Sequence, residues 1–207
     1  MTNVSPSTCS NLKPDTSYLL TMKSELQKML DGALYIASDP ELVEMRAKAR
    51  NLFYRYNQIP VDNMDERKAL LSEMFGKIGE NIDIQTPFYC DYGTNIYAGE
   101  NLFMNFNCIV LDCAKVTFGD NVAFGPNVQI YTAYHPIIAS ERIKGPELAS
   151  PISIGNNVWL GGGAIVCPGV TIGDNTTIGA GSVVTKNIPA NVFAAGNPCR
   201  AIREIPS

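Results

Sequence analysis

From Ile154 onward the sequence repeats every six residues. Blocks open at Ile154, Leu160, Val166, Ile172, Ile178 and Val184, so the first position is Ile, Leu or Val in all six. The fifth position holds Val158, Ala164, Val170, Thr176, Ser182 and Ile188, mostly small or β-branched, and the second is Gly in four of the six blocks. A half-buried strand has period two and an amphipathic helix period 3.6, so a sustained period of six excludes both as the repeating unit. Three hexads make one triangular coil. The first residue points to the axis, a small residue fits the corner, and Gly or Asn supplies the turn. The same frame appears earlier in Ala98-Gly99-Glu100-Asn101-Leu102, Met104-Asn105-Phe106-Asn107-Cys108, Phe118-Gly119-Asp120-Asn121-Val122 and Phe124-Gly125-Pro126-Asn127-Val128. Two-residue slips separate the blocks of three hexads. Four to five coils, stacked at strand spacing, predict a prism about 20–24 Å tall with three short parallel sheets.

The remaining segments read differently. Residues 1–16 are polar and rich in Pro and Ser, which predicts a flexible tail. Residues 17–80 have helical spacing: Leu19, Met22, Leu26, Met29 and Leu30 form one stripe, and Leu42, Met45, Ala49, Leu52 and Phe53 a second. Asp39 before Pro40 reads as a helix start, and Asp62 or Asn63 as the cap of a third, shorter helix carrying Leu70, Leu71 and Phe75. The expected organisation is therefore a helical cap over 17–80 and a repeat domain over 81–207. Hexads stop between residues 134 and 151, and an insertion of that length in a rigid scaffold is where function is expected.

Composition removes several classes of function. Sixteen Lys and Arg against twenty Asp and Glu give a net charge of −4, with no basic run to neutralise a phosphate backbone. No stretch of about 20 apolar residues and no basic-then-apolar leader is present, so the sequence predicts a soluble, cytoplasmic protein. The six cysteines form no C-x-x-C pair and read as packing residues; with only one histidine, no zinc ligand set and no metal requirement are expected. That histidine, His135, stands where the hexads give way to the insertion. Imidazole is the side chain best suited to accept a proton near neutral pH, so His135 is the candidate general base; a histidine that merely satisfies a turn is the competing reading. Gly162 and Gly163 allow close approach to the backbone, whose N–H groups are candidate donors to an oxyanion, although glycines needed only for the corner compete with that role.

The sequence from about Met29 to Ile205 resembles the maltose/galactoside O-acetyltransferases, a family of hexapeptide-repeat acyltransferases. The resemblance rests on Asp31-Gly32-Ala33-Leu34-Tyr35, Arg55-Tyr56-Asn57, Cys90-Asp91-Tyr92-Gly93, Asn105-Phe106-Asn107, Tyr131-Thr132-Ala133-Tyr134-His135-Pro136, Ile154-Gly155-Asn156-Asn157-Val158-Trp159 and Ala195-Gly196-Asn197-Pro198-Cys199-Arg200. It implies a mainly β fold, a left-handed parallel β-helix with an N-terminal α-helical cap, assembled as a homotrimer with sites between neighbours. It implies transfer of acetyl from acetyl-CoA to a sugar hydroxyl by direct attack, with no acyl-enzyme. His135 matches the catalytic histidine and Glu147 an acid near it that orients the imidazole. Asp91, Asn105 and Asp112 match acceptor-facing positions, although Cys113 stands where some relatives carry a second acid. Trp159 matches a tryptophan of the cofactor channel, and Ala180, Thr185, Lys186, Arg200 and Arg203 match cofactor contacts. Lys and Arg on an acidic protein suit the phosphates of CoA, with ordinary surface cations as the competing reading. Tyr35, Tyr54 and Tyr56 stand between sugar contacts and core packing. Acetylation of serine, a nucleotide sugar or an antibiotic, and a non-catalytic scaffold, remain the alternative functions.

Overall fold

The computed structural model describes residues 23–206. The expected tail, and Leu19 and Met22 of the first stripe, lie outside the described residues. Three helices come first: α1 (Glu25–Leu30), α2 (Pro40–Gln58) and α3 (Met64–Met74). Each begins on a side-chain cap: Ser24 accepts from Gln27 N–H, Asp39 from Glu41 N–H and Asn63 from Glu66 N–H. Pro40 occupies the first turn of α2, where its missing N–H costs nothing. The second stripe is buried at Leu42, Ala49 and Leu52, whereas Leu30 of the first is half exposed.

The repeats then form three parallel sheets around one axis. The first face stacks Ile96–Ala98, Val116–Phe118, Ile152–Ile154 and Thr171–Ile172. The second stacks Asp83–Ile84, Phe103–Met104, Ala123–Phe124, Trp159–Leu160, Thr177–Ile178 and Val192–Gly196, and is closed by antiparallel Cys199–Glu204. The third stacks Phe88–Cys90, Cys108–Leu111, Gln129–Tyr131, Ile165–Val166 and Val183–Val184. Six parallel strands on the second face exceed the four to five coils that the hexads suggested. The end coils stack by the same bonds, but their sequences lack the repeat.

Every first-position residue of the repeat points inward. Ala98, Phe118, Ile154 and Ile172 stack in register on the first face, and Met104, Phe124, Leu160 and Ile178 on the second, each at most 3% exposed. Thr176 and Ser182 follow the fifth position inward because each hydroxyl has a backbone acceptor, Pro189 O at 2.9 Å and Gly179 O at 2.6 Å. The described cysteines are all free, and all but Cys167 are buried. The cap shares this core: Leu52, Tyr56, Leu70, Leu71 and Met74 pack with Ile84, Phe88 and Ile96.

At the edge between the first and second faces the chain turns on an asparagine in every coil. Asn81, Asn101, Asn121, Asn157, Asn175 and Asn191 all take φ of 55–60°. Their side-chain amides join head to tail over 2.8–3.0 Å, an unbroken ladder. Asn tolerates this left-handed backbone better than any residue with a bulkier side chain, and stacking gives each amide two partners.

The insertion is a folded excursion. Ala133–Tyr134 and Pro146–Ala149 pair antiparallel, with Ala133 opposite Ala149, and Tyr35–Ile36 adds a third strand on the other side. A four-residue helix, α4 (Ala139–Arg142), forms its tip. Ile152 then resumes pairing with Val116, so stacking continues undisturbed. At Asn121, replacement by Ala should lower stability by about 1–2 kcal/mol, the usual cost of left-handed backbone at a residue with a Cβ. Asn121→Gly should recover most of that loss; urea denaturation of the two variants separates backbone strain from loss of the ladder bonds.

Candidate active site

The insertion leaves the prism at its third edge, between the third and first faces. Tyr134 lies opposite Leu148, and His135 follows directly on that last paired residue. On the other side of the central strand Tyr35 pairs with Glu147. His135 is exposed, with Nδ1 3.3 Å from the carbonyl oxygen of Pro146. A carbonyl only accepts, so this contact requires the proton on Nδ1 and leaves the lone pair of the neutral ring on Nε2. Glu147 is held by a different residue than expected. Its Oε2 accepts from Tyr35 Oη at 2.8 Å, because the carboxylate sits beside the buried phenol of the opposite strand.

Cys113 lies one coil below and Asp91 two coils below. The Cys113 thiol donates to Asp91 Oδ2 at 3.4 Å. Burial raises the Asp91 carboxyl above its ordinary value, against the opposing influence of Cys113 and Arg46. Arg46 itself is fixed, with Nη1 donating to Tyr92 Oη at 2.6 Å and Nη2 to Ala37 O at 2.5 Å. Burial pushes the Cys113 thiol well up, so it is a protonated donor and no nucleophile.

Asp112 does not face an acceptor. It is fully buried, and its carboxylate accepts the backbone N–H groups of Asp91 at 3.1 Å, Tyr92 at 2.8 Å and Asn95 at 3.2 Å. Asn95 Nδ2 returns a bond to Asp112 O at 2.7 Å. The coil below turns sharply here, with Gly93 at φ 72°, and the carboxylate satisfies the N–H groups exposed by that turn. Burial raises its carboxyl to about 6 despite these bonds.

A second group of residues collects at the edge between the second and third faces. Asn105, Gly125, Gly161 and Gly179 occupy equivalent corners of successive coils, each N–H bonded to the coil above. A Cβ on Gly125 would stand 2.5 Å from Gly162 N, and one on Gly161 would stand 2.5 Å from Ala180 N. Only glycine fits, and the result is an edge lined by bare backbone. Asn105 Oδ1 accepts from Phe106 N–H at 2.7 Å. Gly163, at φ 70°, donates its N–H to Pro126 O at 2.8 Å, so it is not an oxyanion donor; Gly162 N–H has no hydrogen-bond acceptor among the described residues. Trp159 points outward from the adjoining face at 55% exposure. Arg200 pairs with Ala195 at the top of that edge, and Arg203 lies over Phe193 with its guanidinium 5.8 Å from the ring centroid. Ala180 is exposed on this edge, whereas Thr185 and Lys186 are exposed on the third edge, above the insertion.

One chain therefore splits the expected site between two edges. His135, Glu147, Asp91, Thr185 and Lys186 belong to one; Asn105, Trp159, Gly162, Ala180, Arg200 and Arg203 belong to the other. A face of six residues, about 15–20 Å at strand rise, separates them. A hollow of about 620 Å³ beside α2, lined by Lys48, Leu52, Arg55 and Glu73 among others, includes none of these residues. Tyr92 and Arg46 were not assigned to the site from sequence, and Tyr35, weighed between sugar contact and core packing, is buried. Arg46 carried a legible signal, a cation on the buried stripe of α2.

A stack of hexad coils with an excursion bearing a lone histidine defines a hexapeptide-repeat acyltransferase. Comparison with known proteins agrees: residues 28–79 match the maltose acetyltransferase hexapeptide capping motif, and residues 151–186 match the bacterial transferase hexapeptide (six repeats). Galactoside O-acetyltransferase of Escherichia coli (strain K12) is 45% identical over 86% of this chain and 88% of its own length. The crystal structure of a maltose O-acetyltransferase from Clostridium difficile 630 is 51% identical with a TM-score of 0.88, covering 89% of this chain and 99% of that one. A galactoside acetyltransferase in complex with coenzyme A is 43% identical with a TM-score of 0.86, over 89% and 92%. The chain belongs to the maltose/galactoside O-acetyltransferase family, and it is an acyltransferase.

Asp112→Asn places an amide N–H against backbone donors and should cost about 1–3 kcal/mol of stability. A carboxyl raised in the folded state stabilises at low pH and loses that contribution as pH rises from its ordinary value of 3.8 through about 6. Urea midpoints measured between pH 4 and 7 should therefore show a shallower fall with pH in Asp112→Asn than in the parent.

Proposed function

We propose that this protein transfers acetyl from acetyl-CoA to a sugar hydroxyl, with His135 as general base, in sites shared between copies of a homotrimer. The observation that carries the role of His135 is its contact with the Pro146 carbonyl. That contact leaves Nε2 as the proton acceptor at the exposed side of the ring. Nε2 takes the proton of the acceptor hydroxyl as that oxygen attacks the thioester carbonyl. The tetrahedral oxyanion collapses, the CoA sulfur leaves, and the imidazolium returns the proton to it. No covalent enzyme intermediate is needed. Gly162 N–H, without an acceptor among the described residues, is the oxyanion donor. Trp159, Ala180, Arg200 and Arg203 receive the cofactor along the bare glycine edge, and Thr185 and Lys186 receive it from the edge that carries His135. Asp91 and Asn105 bind acceptor hydroxyls.

The split between edges supports the shared site. A base on one edge reaches a thioester on another only when a second copy brings its own glycine edge against the insertion. Phe106 and Trp159, each 55% exposed, are the apolar groups that such a neighbour would cover. A sugar acceptor is supported by the relatives, which are named for maltose and galactoside.

Turnover of acetyl-CoA against a panel of mono- and disaccharides tests the acceptor, read as free thiol; reaction with serine or another non-sugar hydroxyl alone would replace the sugar reading. His135→Ala should lose about 10²–10⁴ in kcat with acetyl-CoA affinity retained. Hybrids formed by co-expressing His135→Ala with Asn105→Ala should regain activity that neither variant has alone. Failure to regain it would place both residues in a site within one copy.

A further inference from the structure

We propose that Tyr35 is a positioning residue of this site: its hydroxyl, donated across the strand pair to Glu147 Oε2, holds that carboxylate next to Pro146, whose carbonyl oxygen contacts His135. The inference rests on the reading of His135 as base and deepens it. Tyr35 is 1% exposed and its hydroxyl stands 2.8 Å from Glu147. It belongs to a small core of its own with Met29, Leu42, Tyr92, Cys113, Ala114 and Ala149, apart from the main prism core. That packing locks the ring, and strand pairing fixes its height against Glu147. A rotamer-locked donor on one carboxylate oxygen removes the rotational freedom that a half-buried glutamate otherwise retains.

The other partners of Glu147 explain why a neutral donor serves here. The Asp91 carboxylate lies close enough to be disfavoured by the charge of Glu147. A second cation would be drawn to both acids, whereas a phenol selects one and adds no charge. Burial first, then the neighbouring Cys113 and Glu147, pushes the Tyr35 hydroxyl well above its usual value, so it remains a donor throughout the working range. Held this way, Glu147 stays beside the residue whose carbonyl contacts His135, and a carboxylate kept there stabilises the imidazolium formed during transfer. The acid of the insertion strand is thus held by a residue 112 positions earlier in the chain.

Tyr35→Phe keeps the buried ring and removes only the donor. Its kcat should fall about 10-fold, with KM for acetyl-CoA within about 2-fold of the parent. Glu147→Gln should lose at least as much, and the double variant no more than Glu147→Gln alone, because the phenol acts only through the carboxylate. Glu147→Asp, which withdraws the carboxylate from an untouched Tyr35, should reproduce the Tyr35→Phe loss. A parental kcat in Tyr35→Phe or Glu147→Asp, or losses that multiply in the double variant, overturns the inference. The His135→Ala control separates the two ideas: a normal His135→Ala rate overturns the base and this inference with it, whereas an inactive His135→Ala beside a normal Tyr35→Phe overturns only the role of Tyr35.

Discussion

The structure depends on a turn that must be repeated identically at every level. A coil can stack only if each corner returns the backbone to the same position one strand spacing higher, and that demands left-handed backbone at fixed intervals. Asn meets the demand at the first edge. Asn107, Asn127, Gly163 and Gly181 meet it at the second, and Gly93 and Gly169 at the third. The amide ladder through Asn81 to Asn191 then links all the levels on the outside, while stacked aliphatic side chains link them within. Hydrophobic burial drives the collapse, but the corners set the register that lets it occur in layers.

That constraint governs where a reactive group can stand. Side chains inside the coil are committed to the core, and corner positions are restricted to small residues or to those that cap a neighbouring turn. Asp112 shows the second restriction: an acid at a corner is recruited by the three N–H groups exposed beneath it. Gly163 shows the same for a donor, since its N–H closes a rung of the stack. Asp91 escapes because its turn is satisfied by Asp112, which leaves its carboxylate to Cys113 and the space beyond. Chemistry thus appears where the demand for backbone satisfaction has already been met.

Much of this was legible in the sequence. The hexads placed Leu160, Val166, Ile172 and Ile178 inward, and the break in the hexads located the excursion that carries His135. What sequence did not show is which of two acids at adjacent corners is free. Asp91 and Asp112 look alike in a string; the difference lies in whether another strand turns beneath the carboxylate. The partner of Glu147 was hidden for a related reason. Periodicity reports local geometry, and the Tyr35–Glu147 pair is created by a strand from the cap meeting a strand of the insertion. The extra coil was missed because stacking at the ends needs backbone bonds more than it needs the repeat.

An exposed side chain such as His135 enters a hexad stack from outside the repeat. The insertion supplies it without disturbing the layers because its strands close on themselves: Ser150 N–H bonds Thr132 O at 2.9 Å, and Ile152 N–H bonds Lys115 O at 3.0 Å one step later. The excursion therefore leaves the stacking of the prism intact, and its root is tied to the coils by these bonds. A second anchor comes from the cap strand at Tyr35, so the strand that carries Glu147 is held from both sides, while His135 is exposed. Rigidity at the root and exposure at the ring are what the proposed role of His135 requires.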